Sequence, residues 1–325
     1  GNTVNNRLSA LWNPVSTNVT QSQQSGFPEP NYLIGEDDKS RNHETTQLPE
    51  HARRGKRFWV DGFGSYQERE ASSVKSGTIS KTGGFVSGFD AAVNANVIAG
   101  AFVGGAQSSM AATNGHRAHT ETYFGGLYAS LGSARGAIDF ALTAGKTDQV
   151  ENRYVASNFA PGGVNIFRLE KDSWFIAPEL GLEHRLPVLG LVGSLRGRYT
   201  IQFADEYEVE TSSVAAREVR FIQGRVELAR PILFENQSGE MTRIVPYGGV
   251  DYNELLDGNM LDMTINGSDV MLRMDTVEKE LTTFAGLRMA VSLSENFTVE
   301  AQVEGRVSDE DAKSVAAKIG GSWNF

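Results

Sequence analysis

The sequence predicts an all-β transmembrane barrel of about twelve antiparallel strands, with a short N-terminal α-helix inside the pore. Three observations predict it. From Lys56 onward, apolar or small residues recur at every second position, the period of a strand whose two faces differ. The alternating segments run to roughly 10–15 residues, longer than the ~5–6 usual in globular strands and sufficient for a tilted crossing of a bilayer. The chain ends on Ile319, Trp323 and Phe325, alternating with small or polar residues, and such aromatic side chains suit the girdle where lipid meets water.

Bulk composition is compatible with this. Hydrophobic residues make up 40% of the 325 positions, and the mean hydropathy is −0.31; barrel strands present apolar residues to lipid only at alternate positions, which keeps the average low. No window approaches the ~18–20 apolar residues of a spanning helix. The most apolar stretch, Leu186 to Leu195, is broken by Pro187, Gly190 and Gly193. Cysteine is absent, which excludes disulfides, a thiolate nucleophile and Cys-ligated metals. A net charge of −10 argues against nucleic acid as a partner. The chain starts at Gly1 without a charged n-region and apolar h-region, so a signal peptide is not expected within it.

Residues 1–54 form the first region. Val4, Leu8, Leu11 and Trp12 fall at helical spacings, and Pro14 ends the pattern, which predicts a helix over 3–12. Three turns are marginal in water, so such a helix needs a host surface. Residues 13–54 read as linker. Residues 55–325 read as the barrel.

The clearest strand is Phe297 to Val307, where Phe297, Val299, Ala301, Val303, Gly305 and Val307 alternate with Thr298, Glu300, Gln302, Glu304 and Arg306. Leu189 to Phe203 and Ala285 to Leu293 repeat the pattern, as does the stretch around Phe85 to Val93. Less regular segments lie at 58–67, 97–107, 120–131, 136–146, 173–185, 218–230 and 243–253. With the final strand they make about twelve, an even number that closes a barrel without edges. Connections alternate in length. Asn94–Asn96, Gly132–Ala134, Leu186–Pro187 and Ser294–Asn296 are short, whereas Asp148–Asp172 and Glu254–Asp275 are long and polar, as in outer-membrane barrels. Pro231–Glu240 is longer than this rule wants and Ser308–Asp311 shorter.

The face opposite the lipid looks into the lumen. The expected pore-lining charges are Arg196, Arg198, Arg225, Arg243, Arg288, Glu300, Glu304 and Arg306, joined by Glu179, Glu183, Glu227, Asp251 and Lys318. They read as paired or solvated lumen charges, or as the lining of a hydrophilic channel. A twelve-stranded lumen lies between a side-chain-filled eight-stranded barrel and an open porin, and would admit one helix about 10 Å across.

Together these residues resemble the translocator (β) domain of a type V autotransporter. The opening strand Phe58-Trp59-Val60-Asp61-Gly62-Phe63-Gly64-Ser65-Tyr66 resembles the family's aromatic-rich start; Gly84, Gly88 and Asp90, and Pro246-Tyr247-Gly248, fit as well. Lys318, Gly320, Trp323 and Phe325 match the family's C-terminal spacing. The resemblance implies an outer-membrane barrel of a Gram-negative bacterium that supports secretion of a covalent N-terminal passenger, itself outside this chain. It further implies a monomer in outer-membrane lipid, without cofactor or metal, whose terminal residues are an assembly signal read by the barrel assembly machinery. The 13–54 stretch is longer than expected between pore helix and first strand.

Some family members cut themselves between adjacent Asn residues in the barrel, and Asn5-Asn6 is the speculative self-cleavage pair here. Other chemistry lacks motifs. A barrel hydrolase needs a His held by a carboxylate or Asn. His43 and His51 lie in the linker, His184 near a short turn, and His116 and His119 at a loop edge, where they read as solvated. The alternatives to a translocator are therefore a passive porin-like channel and a loop-based hydrolase.

Overall fold

The computed structural model describes residues 55–325, apart from 72–75, 95, 134, 157–163, 187–189, 210–211, 236–240, 266–267, 274–278 and 295. The expected helix over 3–12 and the linker lie outside the described residues. Twelve long strands close the barrel: β1 (Lys56–Arg69), β2 (Thr78–Asn94), β3 (Val97–Ala112), β4 (Arg117–Ser133), β5 (Gly136–Ala156), β6 (Val164–Leu186), β7 (Leu191–Ala204), β10 (Arg217–Ala229), β12 (Met241–Asp257), β15 (Lys279–Ser294), β16 (Phe297–Ser308) and β17 (Ala312–Asn324). Each pairs antiparallel with the next in this order, including β7 with β10 and β10 with β12, and β1 pairs β17 to shut the ring. Closure satisfies every wall strand on both sides, the condition for a sheet in hydrocarbon.

Alternation sorts side chains as a membrane requires. On β2, Ile79, Phe85 and Phe89 are exposed outward while Ser80, Thr82, Val86 and Asp90 are buried inside. On β17, Ile319, Trp323 and Phe325 face out and Lys318 and Ser322 face in. An outward apolar run such as Phe58 to Tyr66 on β1 spans about 20 Å of membrane depth at ~3.3 Å per residue and the usual tilt. Tyr66, Tyr123, Trp174 and Tyr252 are exposed aromatics of the outward upper face, and Trp174 stacks on Phe203 with centroids 4.1 Å apart.

The structure corrects three sequence boundaries. The expected loop Asp148–Asp172 is mostly strand, because β5 and β6 pair as far as Ala156 and Val164. Outside the bilayer neither face must be apolar, so the alternation fades while the backbone ladder continues. The connection after β10 is short after all: β11 (Ile232–Glu235) resumes pairing with β12 just past Arg230-Pro231. Pro231 has no N–H to donate, which interrupts the strand without ending it. Finally, the expected loop Glu254–Asp275 contains β13 (Met260–Ile265) and β14 (Ser268–Arg273). These join β8 (Tyr207–Val209) and β9 (Ser212–Val214) in a four-stranded sheet.

Candidate functional site

The site is the lumen and the seam that closes it. β1 and β17 pair from Arg57–Asn324 to Arg69–Ala312, which sets Asp61 opposite Gly320. Lys318 reaches across the seam to Asp61, Nζ to Oδ2 3.1 Å, with both side chains buried. Gly320 is required beside this pair: a Cβ there would fall on the Asp61 carboxylate and 2.8 Å from the Val60 carbonyl oxygen. Gly320→Val is therefore expected to destabilise the assembled barrel by about 1–3 kcal/mol through overpacking, read as a lower urea midpoint with an unchanged m-value. At the last residue the Lys56 and Phe325 backbones exchange both hydrogen bonds, at 3.1 and 2.9 Å. Outside, Phe325 lies 6.1 Å from Phe89 and Trp323 6.1 Å from Phe297.

One wall of the lumen is ionic. Arg225 donates to Glu304 at 2.7 Å and to Glu227 at 2.9 Å, and lies 3.4 Å from Asp251. Arg288 donates to Glu227 at 2.7 Å, and Arg306 contacts both Glu304 and Asp251. Three guanidiniums thus meet three carboxylates. The cations are also seated on rings: Arg225 is 3.6 Å from the Phe284 centroid and Arg288 3.8 Å from that of Tyr247, a favourable arrangement when water is excluded. Gln302 donates to the Tyr247 hydroxyl at 2.7 Å. Farther round, Arg198 pairs with Glu179 at 2.6 Å and Arg69 with Glu280 at 3.2 Å.

The opposite wall is aromatic. Trp59, Val86 and Phe102 are buried together, with Phe124 and Tyr128 packed against them. The rings fit because glycines on the same inner face leave room: a Cβ on Gly104 would meet Phe124 Cζ at 2.6 Å, and one on Gly100 would meet Tyr128 Cζ at 2.5 Å. A hydrogen-bond chain ties this wall to an ion pair of its own. Trp59 Nε1 donates to the Tyr128 hydroxyl at 3.1 Å, which donates to Asp90 Oδ2 at 2.6 Å, and Arg57 closes on the same oxygen at 2.7 Å. Bordering the ionic wall, a polar chamber is lined by neutral groups such as Ser65, Ser80, Thr82 and Thr282 together with the charged Asp251, Glu280 and Arg306. At the rim, Lys313 donates to Glu70 at 2.8 Å and holds that carboxyl below its ordinary range.

Arg198, Arg225, Arg288, Glu304 and Arg306 lie on the inner face in the pairs just described. Arg196 sits opposite Arg225 on the neighbouring strand, Arg243 opposite Ala290, and Glu300 opposite Gly320 near the Asp61–Lys318 pair. Trp323 and Phe325 are on the outer face with Ile319. Asn5 and Asn6 lie outside the described residues. His119 is exposed on the outer surface, 3.4 Å from Glu121, whereas His116 is buried at the turn, so the two do not converge. Lumen residues that charge counting left out include Asp61, Trp59, Tyr128 and Phe284. Their available signal was glycine on the neighbouring strand at the same level, as with Gly100 beside Tyr128.

The family model "Autotransporter beta-domain" matches residues 58–304. The fold is similar to that of the translocator domain of the autotransporter NalP from Neisseria meningitidis, with a TM-score of 0.67 at 14% identity over 83% of this chain and 88% of that one. It is similar to the β domain of the Bordetella autotransporter BrkA, with a TM-score of 0.61 at 14% identity over 84% of this chain and 100% of that one. The transport unit of the autotransporter AIDA-I from Escherichia coli also matches, with a TM-score of 0.52 at 10% identity over 95% and 97%. No curated protein matches the chain.

Proposed function

The chain belongs to the family of autotransporter β-domains, and we propose on that basis that it is the outer-membrane translocator supporting secretion of a covalent N-terminal passenger in a Gram-negative bacterium. One observation carries the reading further: the first and last strands meet at Lys56 and Phe325. Gly55 and the start of β1 therefore lie at the short-turn end of the barrel, while the long hairpins stand at the other end.

The lumen chemistry suits a polypeptide in transit. Its Arg225 network joins three cations to three anions, so it presents little unbalanced charge. The hydroxyl-rich chamber offers exchangeable hydrogen bonds, and the charges on its lining are held in ion pairs, Arg306 with Asp251 and Arg69 with Glu280. A passive channel is the second reading, and residues 1–54 distinguish the two. Their removal is expected to raise single-channel conductance several-fold if they fill the pore; an unchanged conductance favours the channel.

We assign Lys318, Gly320, Trp323 and Phe325 to recognition by the barrel assembly machinery, and the inner-face arginines and glutamates to the pore lining. Deleting Phe325 should reduce the yield of assembled barrel several-fold in cells and leave the unfolding temperature of the assembled fraction nearly unchanged. Normal assembly with a lowered temperature would remove the signal role. Self-cleavage at Asn5-Asn6 rests on the Asn pair alone; unchanged passenger processing after substitution of both would discard it. A monomer is the expected state, checked by sedimentation in detergent.

A further inference from the structure

The sheet formed by β8, β9, β13 and β14 continues the barrel wall. Ala204 pairs with Arg217 at the top of β7 and β10, and three residues farther along each strand Tyr207 pairs with Val214. Arg220–Asp257 continues as Val214–Met263, and Glu254–Lys279 as Met260–Arg273, six residues on in each case. Between β7 and β10 no residue is gained or lost, whereas β12 takes up one extra residue against β10 at Arg220/Phe221. Just above that bulge the regular ladder lapses at 205–206, 215–216 and 258–259, bridged by single backbone bonds from Asp205 N to the Asp172 oxygen and from Ala215 N to the Asp262 oxygen. Gly258 marks the break, with φ +95°, and a Cβ there would meet the Glu218 carbonyl oxygen at 2.8 Å. A wall that takes up a bulge and loses its regular ladder over the same few residues is creased there.

The buried residues give the direction of the fold. In the membrane-spanning part of β5 and β6, odd-numbered residues such as Ala141, Phe175 and Ala177 face inward. The same parity above the membrane brings Glu151 and Leu169 to the inner face, where they are 0% and 3% exposed, whereas outward Arg168 and Glu170 are 67% and 68% exposed at the side chain. An inner face so well covered beyond the bilayer has something lying across it. The contact identifies the cover: Lys171, paired with Glu151 at 2.8 Å, lies 5.1 Å from the ring of Tyr207 in β8. Val214 and Met263 of the creased sheet are themselves buried.

We propose that β8, β9, β13 and β14 form a hinged cap, folded inward along the crease through Gly258 against the β5–β6 hairpin. It covers the outer mouth of the lumen and swings away while a passenger is in transit through the pore. The proposal rests on the translocator reading. The closed state holds the Lys171–Tyr207 contact and covers Leu169; the open state gives both up and leaves the barrel ladder below the crease intact.

Because the chain lacks cysteine, introduced thiols are unique probes. In cells carrying the full chain with a Cys-free reporter passenger, Leu169→Cys should react with an impermeant maleimide at least tenfold more slowly than Arg168→Cys once secretion is complete. With a passenger that jams in the pore behind a fast-folding domain, the Leu169→Cys rate should rise to that of Arg168→Cys. The pair Lys171→Cys and Tyr207→Cys should cross-link through a short bis-maleimide in the completed protein and lose most of that yield in the jammed one. Lys171→Cys alone serves as the labelling probe if Leu169→Cys does not fold. Equal labelling and equal cross-linking in both states would overturn the moving cap, and fast labelling in the completed protein would overturn the cap itself. Should no passenger reach the surface at all, the translocator reading fails, while protection in the completed chain still tests the closed contact.

Discussion

Replacing Arg225 with methionine is expected to lower barrel stability by about 3–5 kcal/mol, the usual cost of removing one partner from a buried ionic group. Arg225 is the shared cation of Glu227, Asp251 and Glu304, whose side chains are only 6%, 1% and 3% exposed. Methionine preserves much of the volume over Phe284 but leaves too few cations for these carboxylates. Arg306 still reaches Asp251 and Glu304, and Arg288 still reaches Glu227, so the loss is partial. Urea unfolding from lipid vesicles measures it. Adding Glu304→Gln should recover part of the loss, because it removes one stranded charge, and a strictly additive double variant would contradict this coupling. Lys146→Met is the contrast: its pairs with Asp148 and Asp172 are exposed, and such pairs contribute under ~1 kcal/mol.

Trp59→Ala should have a comparable effect, about 3–5 kcal/mol, from the lost burial and the cavity left inside a rigid ring. Trp59 is 3% exposed and fills the space over Gly88, whose missing side chain receives the indole. Its Nε1 also supports the Tyr128 hydroxyl that donates to Asp90. Phenylalanine at 59 should restore most of the packing without that hydrogen bond. A Phe variant as unstable as Ala would mean that the hydrogen-bond chain, and not ring burial, sets the effect.

The outer face of this barrel is legible in the sequence and the inner face only in part, for a physical reason. Lipid accepts few residue types, so Ile319, Trp323, Val303 and Val307 announce their side by alternation. The lumen accepts ions, hydroxyls, glycine and aromatics alike, provided that each fits its neighbours. Arg225 and Glu304 could be placed inside because charges cannot face lipid. Trp59 and Phe284 could not, because a ring suits either side until a facing glycine or guanidinium is seen. Above the bilayer even alternation loses its cause, which is why the long β5–β6 hairpin and the cap strands read as polar loops. At Pro231 the breaker was visible, but a β-strand can resume after one unpaired level. The candidate helix and the Asn5-Asn6 pair lie outside the residues the structure describes.

Carriage of a covalent passenger across the outer membrane is the function proposed for this barrel. Its most direct test is a protease-sensitive reporter fused ahead of Gly1, expressed with a signal peptide in a Gram-negative host, with reporter exposure measured on intact cells. External protease is expected to remove the reporter from whole cells, and Trp59→Ala or Phe325 deletion to lower exposure in proportion to assembled barrel. A barrel that assembles normally in the outer membrane and leaves the reporter protected in the periplasm would contradict it.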